Sequence, residues 1–544
     1  MEKAFKVSGK IVDIIKQEIF EGSVLVKDGK ISKVLREKTD QDQFILPGLI
    51  DAHIHIESSM LIPSEFARMA SVHGTVATVS DPHEIANVLG IEGINYMIGN
   101  GKKVPMKFYF GASSCVPATP FETAGAELGV EELDHLLKKD EIKYMSEMMN
   151  WPGVLFGDKL VKEKLDIAKK YNKPVDGHAP GVLGKDAKKY AAAGISTDHE
   201  CFTIEEALDK IKAGMKILIR EGSAAKNFEA LIPLLHDYPD QIMFCSDDKH
   251  PNDLVEGHID QLVSRAIKKG FDPLVVLRAA IFNPIQHYKL DVGLLQEGDP
   301  ADFIIIDDLN NFKVKQNFIG GELVAENGKT KIPAVDESTP NKFAAQIIDA
   351  GDLRISSASD KIRVMEALDG QLITREEGLQ PKVEDGMLVS DPVQDILKIV
   401  VLNRYEKAKP AVAFVKNFGL KRGAIASTVA HDSHNIVAVG TSDQQIAEAI
   451  NVLIDVKGGV SLVEGGDHFV LPLPVAGLMS NKDGWDVAAK YDKLDRKAKA
   501  LGSKLNAPYM TLSFMALLVI PDLKLSDKGL FDGKKFAFTS LFEN

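Results

Sequence analysis

The chain has 544 residues and a formal charge of −13, with 65 lysines and arginines against 78 aspartates and glutamates. That balance excludes a protein that wraps a nucleic acid polymer, because such a binder needs a basic footprint. An apolar fraction of 45% and a charged fraction of 26% are those of a globular chain with material for a large core, and the length suggests about two to four domains.

The three cysteines, Cys115, Cys201 and Cys245, are far apart and no Cys-x-x-Cys occurs. A zinc ribbon and a disulfide framework are therefore not indicated, and the usage fits a reducing cytoplasm. Met1 to Lys10 has no apolar signal core. The longest apolar stretch, around Met510 to Ile520, is too short to span a bilayer and ends at Pro521, so it reads as a buried strand or helix and no membrane partner is expected.

Residues 1–47 read as short strands, with Ser23–Val26 and Ile31–Val34 flanking the hairpin signal Asp28-Gly29. Residues 48–295 alternate strand and helix patterns. The candidate strands are Leu49–His55, Thr75–Asp81, Lys107–Ser113, Lys143–Glu147, Pro174–His178, Ile195–His199, Lys216–Glu221 and Gln241–Asp247. Helical patterns lie between most of them, such as Ser64–His73 after Pro63 and Val161–Tyr171. This alternation implies a parallel sheet, and eight units predict a (β/α)8 barrel. An open doubly wound sheet is the competing architecture, weakened because no glycine-rich dinucleotide fingerprint follows an early strand. Residues 296–344 return as strands: Gly298-Asp299-Pro300-Ala301-Asp302 leads into Phe303–Asp307, and a strand pair lies around Phe318–Val324. With the N-terminal strands they are expected to close a composite β-sandwich beside the barrel. Residues 345–544 read as a separate C-terminal α/β domain.

The most informative run is Gly48-Leu49-Ile50-Asp51-Ala52-His53-Ile54-His55. On a strand, alternate side chains share a face, so His53 and His55 point at one spot and form half of a divalent metal site. In a barrel of this kind chemistry sits at the C-terminal strand ends. There the fourth strand ends in Glu147, the fifth in His178, the sixth in His199 and the eighth in Asp247. Four imidazoles and two carboxylates suit one or two ions of the zinc, manganese or iron type. Such a centre acidifies bound water, and Asp247 is placed to accept and return the proton. The residues alone thus predict a metal-assisted hydrolase.

This ligand pattern resembles the amidohydrolase superfamily. The resemblance narrows to the bacterial adenine deaminases through Pro47–Met60, Asp81-Pro82-His83-Glu84-Ile85-Ala86-Asn87-Val88, Met145–Val154, Arg220–Ala225 and Asp247-Asp248-Lys249-His250-Pro251. In the C-terminal part it continues through His431-Asp432-Ser433-His434-Asn435 and Gly465–Pro474. It implies conversion of adenine and water to hypoxanthine and ammonia in purine salvage, with a binuclear Mn2+ or Fe2+ centre. Some relatives in the superfamily bridge their metals with a carboxylated lysine, but here the position is Glu147 and Lys143 is an ordinary charged residue. The Pro-Cys-x-x-Cys motif of other zinc deaminases is absent.

The expected mechanism is attack of metal-activated hydroxide on C6, with Asp247 shuttling the proton. Asp81, Glu84, Arg220 and Glu221 are the candidates for holding the ring. Asp81 also fits a helix N-cap before Pro82, and Glu84 and Arg220 also fit an ion pair at the barrel rim. Glu57 and Ser58 follow the ligand pair as supporting or lid residues. His431, His434 and His468 fit a second metal site or a lid, but the simpler reading is loop residues of a packed C-terminal domain. Competing functions are another ring hydrolase, such as a guanine deaminase, or a catalytically silent purine- or metal-binding protein. A homo-oligomer is expected from the size.

Overall fold

The computed structural model describes residues 4–543, a mixed α/β chain. It opens with β1 (Ala4–Asp13), β2 (Glu18–Lys27) and β3 (Lys30–Arg36), and β4 (Phe44–Pro47) then runs parallel to β1. The β2–β3 turn rests on Asp28 and Gly29, both at positive φ (49° and 79°), the pair of left-handed residues that matches a hairpin turn to strand twist.

Next come β5 (Leu49–Ile54), β6 (Thr75–Ser80), β7 (Lys107–Phe110), β8 (Met145–Met148), β9 (Val175–Gly177), β10 (Thr197–Asp198), β11 (Lys216–Arg220) and β12 (Ile242–Cys245). They pair in parallel as β5-β6-β7, β8-β9 and β10-β11-β12. Single parallel bridges join these groups at Ala112–Met145 and Val175–Ile195, and Ile54–Asp247 links the end of the series to β5. Every residue of β5, β6, β8 and β12 is buried, polar ones such as Asp51, His53, Thr78 and Glu147 included. Several strands stop short of their expected ends. His55, His178, His199 and Asp247 all lie just beyond the last laddered residue.

Helices fill the connections. The helix expected over Ser64–His73 is Pro63–Ala70 followed by a tight 3-10 turn, Ser71–His73, closed by Gly74 at φ 84°. Lys159–Lys170 is capped by Asp158, which accepts from the Val161 N–H.

The chain then returns as β13 (Phe303–Ile306), β14 (Val314–Ile319), β15 (Glu322–Glu326) and β16 (Lys329–Thr330). All the flanking strands belong to one sheet, ordered β16-β15-β14-β13-β4-β1-β2-β3. Its two halves join where β13 runs antiparallel to β4, Phe303 opposite Pro47 and Ile306 opposite Phe44. The sheet folds over itself: Phe5 of β1 stacks on Phe318 of β14 at 5.4 Å, around a core that includes Ile11, Val24, Ile45 and Ile305.

The C-terminal part has its own eight-stranded sheet, beginning at Ile362–Ala367 and ending at Asp467–Pro472, packed by helix Asp443–Val456. It is not set apart in space. Arg68 pairs with Asp483 at 3.0 Å, Glu65 accepts from the Gly484 N–H, and Leu61 bridges Ser480. The apolar stretch at Met510–Ile520 is the second half of helix Pro508–Phe514 and a run of turns, nearly all buried. Among the described residues no helix is long and apolar enough to cross a membrane.

Candidate metal centre

The seam between β5 and β12 sets the first half of the site. Asp51 Oδ1 accepts from the N–H groups of His53 (3.2 Å) and Ser246 (3.0 Å), and Oδ2 sits 2.8 Å from His258 Nε2. The Asp247 N–H donates to His53 O and the His55 N–H donates to Asp247 O. One buried carboxylate thus ties both strand ends together. Asp247 itself is at φ 56°, a left-handed conformation that aspartate tolerates better than most residues.

The side chains then converge. The His53 and His55 rings lie 4.9 Å apart, and His53 stacks on His199 at 4.2 Å. Glu147 sits among the imidazoles: Oε2 is 2.9 Å from His178 Nδ1 and 3.3 Å from His199 Nε2, while Oε1 is 3.4 Å from His55 Nε2. Asp247 Oδ1 is 3.3 Å from His55 Nε2 and 3.7 Å from His53 Nε2. His55 Nδ1 lies 3.3 Å from the Asp81 carbonyl. That acceptor places the proton on Nδ1 and turns the Nε2 lone pair inward, the usual support for a metal-ligating histidine.

The electrostatics follow from this packing. Burial favours the neutral form of Glu147, but His178 and His199 outweigh it and hold the carboxyl well below its ordinary range. Burial likewise opposes the Asp247 carboxylate, and Arg220 and His55 hold it well below. Burial and the neighbouring His199 and His55 keep His53 well below the usual histidine range, so it stays neutral, the form that ligates.

The donor set fits a divalent ion. Buried groups whose ligand atoms lie within 4.8 Å of one another include His53/His55/Asp247, His53/Glu147/His199, His178/His199/Glu200, His55/Asp81/His83/Glu147 and His83/Glu84/Asp432. Both ring nitrogens of His53, and Nε2 of His178, are buried without a hydrogen-bond partner. Unpaired imidazole nitrogens facing carboxylates are what an ion of this class takes up.

The candidates for ring binding divide. Asp81 does two things: Oδ1 accepts the His83 N–H at 3.1 Å at the start of helix His83–Leu89, and Oδ2 is 3.1 Å from His83 Nδ1. Glu84 is buried and faces the C-terminal part, where His431 Nδ1 and His434 Nε2 both contact its carboxylate. His434 Nδ1 accepts from the Ala430 N–H, so its proton is on Nε2 and is donated to Glu84. The other two candidates, Arg220 and Glu221, are held in ion pairs. Arg220 is fully buried, holding both oxygens of Glu200 (2.6 and 2.8 Å) and one of Asp247, the ion-pair alternative for this residue. Glu221 points the other way and pairs with the half-exposed Arg265 at 2.9 Å, because adjacent strand residues face opposite sides.

His431 and His434 are loop residues of the C-terminal part that reach Glu84, whereas His468 is 46% exposed and lies near Glu448. Ser58 donates to Asp248, and Glu57 accepts from the Ile85 N–H, its carboxyl pushed by burial up to about 7. Reading each strand only at its end missed His83, Glu200 and Asp248. Each stands within a residue or two of a chosen one, so the signal was a cluster of polar residues extending past the strand. Asp432, 3.7 Å from His83 Nε2, likewise stands beside a chosen residue, His431, within the motif His431–Asn435.

Comparison with known proteins agrees along the whole chain. Residues 44–324 match the amidohydrolase family, and residues 371–537 match the adenine deaminase C-terminal domain. A protein named adenine deaminase from Salinibacter ruber is 54% identical over 544 residues, covering all of both chains.

The chain belongs to the adenine deaminase family.

Another member, from Sulfurovum sp., is 58% identical over 534 residues, covering 98% of this chain and 99% of its own. Among solved structures, a β-aspartyl dipeptidase from Fervidobacterium islandicum AW-1 is 16% identical with a TM-score of 0.46, covering 61% of this chain and 99% of its own. The family's C-terminal domain match takes in His431 and His434, the two residues that reach Glu84.

Proposed function

We propose that the chain deaminates adenine hydrolytically, giving hypoxanthine and ammonia. The observation that carries this reading is the buried cluster of imidazoles around Glu147 and Asp247 in a member of the adenine deaminase family. His53, His55, Glu147, His178, His199 and Asp247 would hold the divalent metal, Mn2+ or Fe2+ in a binuclear centre. A centre of this kind supplies acidified water at neutral pH. Asp247, kept ionised by Arg220, takes a proton from the attacking water and delivers it to the departing amine at C6. Asp81 and Glu84, on either side of His83, hold the ring.

The cyclic order of parallel pairings supports closure of residues 48–295 into a (β/α)8 barrel. The residue ranges 1–47 and 296–344 then form the flanking sandwich, and 345–544 the C-terminal domain. The protein works in the cytoplasm as a homo-oligomer.

The test is to strip the protein with a chelator, reload it with Mn2+ or Fe2+, add adenine, and measure ammonia, hypoxanthine and bound metal. Turnover that follows about two ions per chain is expected. Intact metal binding without product from adenine would refute the substrate, and failure to bind metal would refute the centre.

A further inference from the structure

Asp432 clusters with His83 and Glu84, but no role in metal binding, proton transfer or ring binding is assigned to it above. It is 3% exposed, in the loop anchored to Glu84 by His431 and His434. Its Oδ1 is 3.7 Å from His83 Nε2, but its Oδ2 is buried with no hydrogen-bond partner. An unpaired buried carboxylate oxygen is costly, so native proteins keep one where a donor arrives. The nearby Glu122 is no such donor by geometry: no hydrogen bond joins the two among the described residues, and its own Oε2 is also unpaired.

The position of Asp432 relative to the metal cluster is informative. A single imidazole separates them: His83 Nδ1 is 3.6 Å from Glu147 Oε1, and His83 Nε2 is 3.7 Å from Asp432 Oδ1. A purine laid alongside that ring with its six-membered edge at Glu147 would carry its five-membered edge toward Asp432. The side of the loop is braced by Phe514, whose ring stacks on His431 at 5.0 Å.

We propose that Asp432 is a specificity-determining residue whose Oδ2 accepts the N9–H of the free base, so that a purine substituted at N9 is rejected. This rests on the adenine reading above. A site built around a substrate N–H discriminates strongly against an analogue that lacks it, because its own buried acceptor is then left unpaired. A nucleoside fails twice, losing the N–H and placing its sugar where the loop is packed.

The experiment compares adenine with 9-methyladenine as substrates for the metal-loaded wild type, Asp432→Ala and Asp432→Asn. The wild type is expected to favour adenine by at least about 100-fold in kcat/KM. Asp432→Ala should lower kcat/KM for adenine, mainly through KM, leave bound metal unchanged, and shrink the preference by about tenfold or more. Asp432→Asn, whose carbonyl oxygen still accepts, should retain more of it. Equal rates on both bases in the wild type, an arm that needs no variant to fold, would overturn the assignment. So would an alanine variant that keeps the full preference. No turnover of adenine by the wild type would instead bring down the deaminase reading, and this assignment with it.

Discussion

Replacing Arg220 with glutamine removes a fully buried cation from between two buried carboxylates. The guanidinium holds Glu200 at 2.6 and 2.8 Å and also reaches Asp247. Charge-assisted bonds of this type contribute about 1.5–3 kcal/mol each. Breaking a buried pair by deleting one partner costs about 3–5 kcal/mol, because the surviving charge is left uncompensated. Since two carboxylates are stranded, Arg220→Gln should fall near the upper end of that range. Function changes with a definite sign. Arg220 is the main group that depresses the Asp247 carboxyl, and a depressed carboxyl contributes stability that is present above its unfolded pKa and lost as pH falls through the folded value. Without Arg220 the folded value rises, so both the acid loss of stability and the acidic limb of kcat/KM should move to higher pH. Urea unfolding and a pH–rate profile of the metal-loaded protein measure the two effects. Glu221→Gln is the control, since its partner Arg265 is 38% exposed and such pairs contribute at most about 1 kcal/mol. An Arg220→Gln protein within about 1 kcal/mol of wild type, with an unmoved acidic limb, would refute the reasoning.

Two further substitutions test other parts of the argument. Lys210 is fully buried, pairs with Asp198 and Glu206 at 3.0 Å and donates to the Ala179 carbonyl. Asp198 in turn accepts from the Ala179 and Glu200 N–H groups. Lys210→Met should therefore cost about 3–5 kcal/mol and weaken metal loading by displacing the turns beside His178 and His199, read by unfolding and by metal titration; tight metal binding in the variant would refute the link. Glu122 is pushed up to about 8 by burial and the Asp432 charge. A raised carboxyl contributes stability below its unfolded pKa and loses it as pH rises through the folded one. Glu122→Gln should therefore gain on the wild type by up to about 1.4 kcal/mol per pH unit between roughly pH 5 and 8; parallel stability profiles would contradict this.

The parts of the site that could be read from sequence were those encoded locally. His53 and His55 share a strand face, and the polar ends of buried apolar strands mark Glu147, His178, His199 and Asp247. The same alternation, applied strictly, would have separated Arg220 from Glu221, since neighbours on a strand cannot both face inward. Strand ends were overextended because hydrogen bonding stops where the chain must turn its polar residues into the cavity. Long-range pairing left no local trace. The β4–β13 contact merges two expected sandwich halves into one sheet, and Glu84 meets His431 across 347 residues. No periodicity spans that distance.

The Asp51 seam has a consequence for how the molecule is made. Ser246 reaches Asp51 across 195 residues, so during synthesis β5 emerges long before the partner that completes its free edge. Closing so long a loop adds little to the equilibrium cost, which grows only with the logarithm of length. It weighs instead on the rate, because distant pairings are slow to find. Until β12 arrives, the nascent chain carries a bare strand edge, Leu49–Ile54, open to pairing with other chains. Yield during expression is therefore governed by how that interval is protected, by slow growth or by a chaperone, more than by the strength of the finished fold.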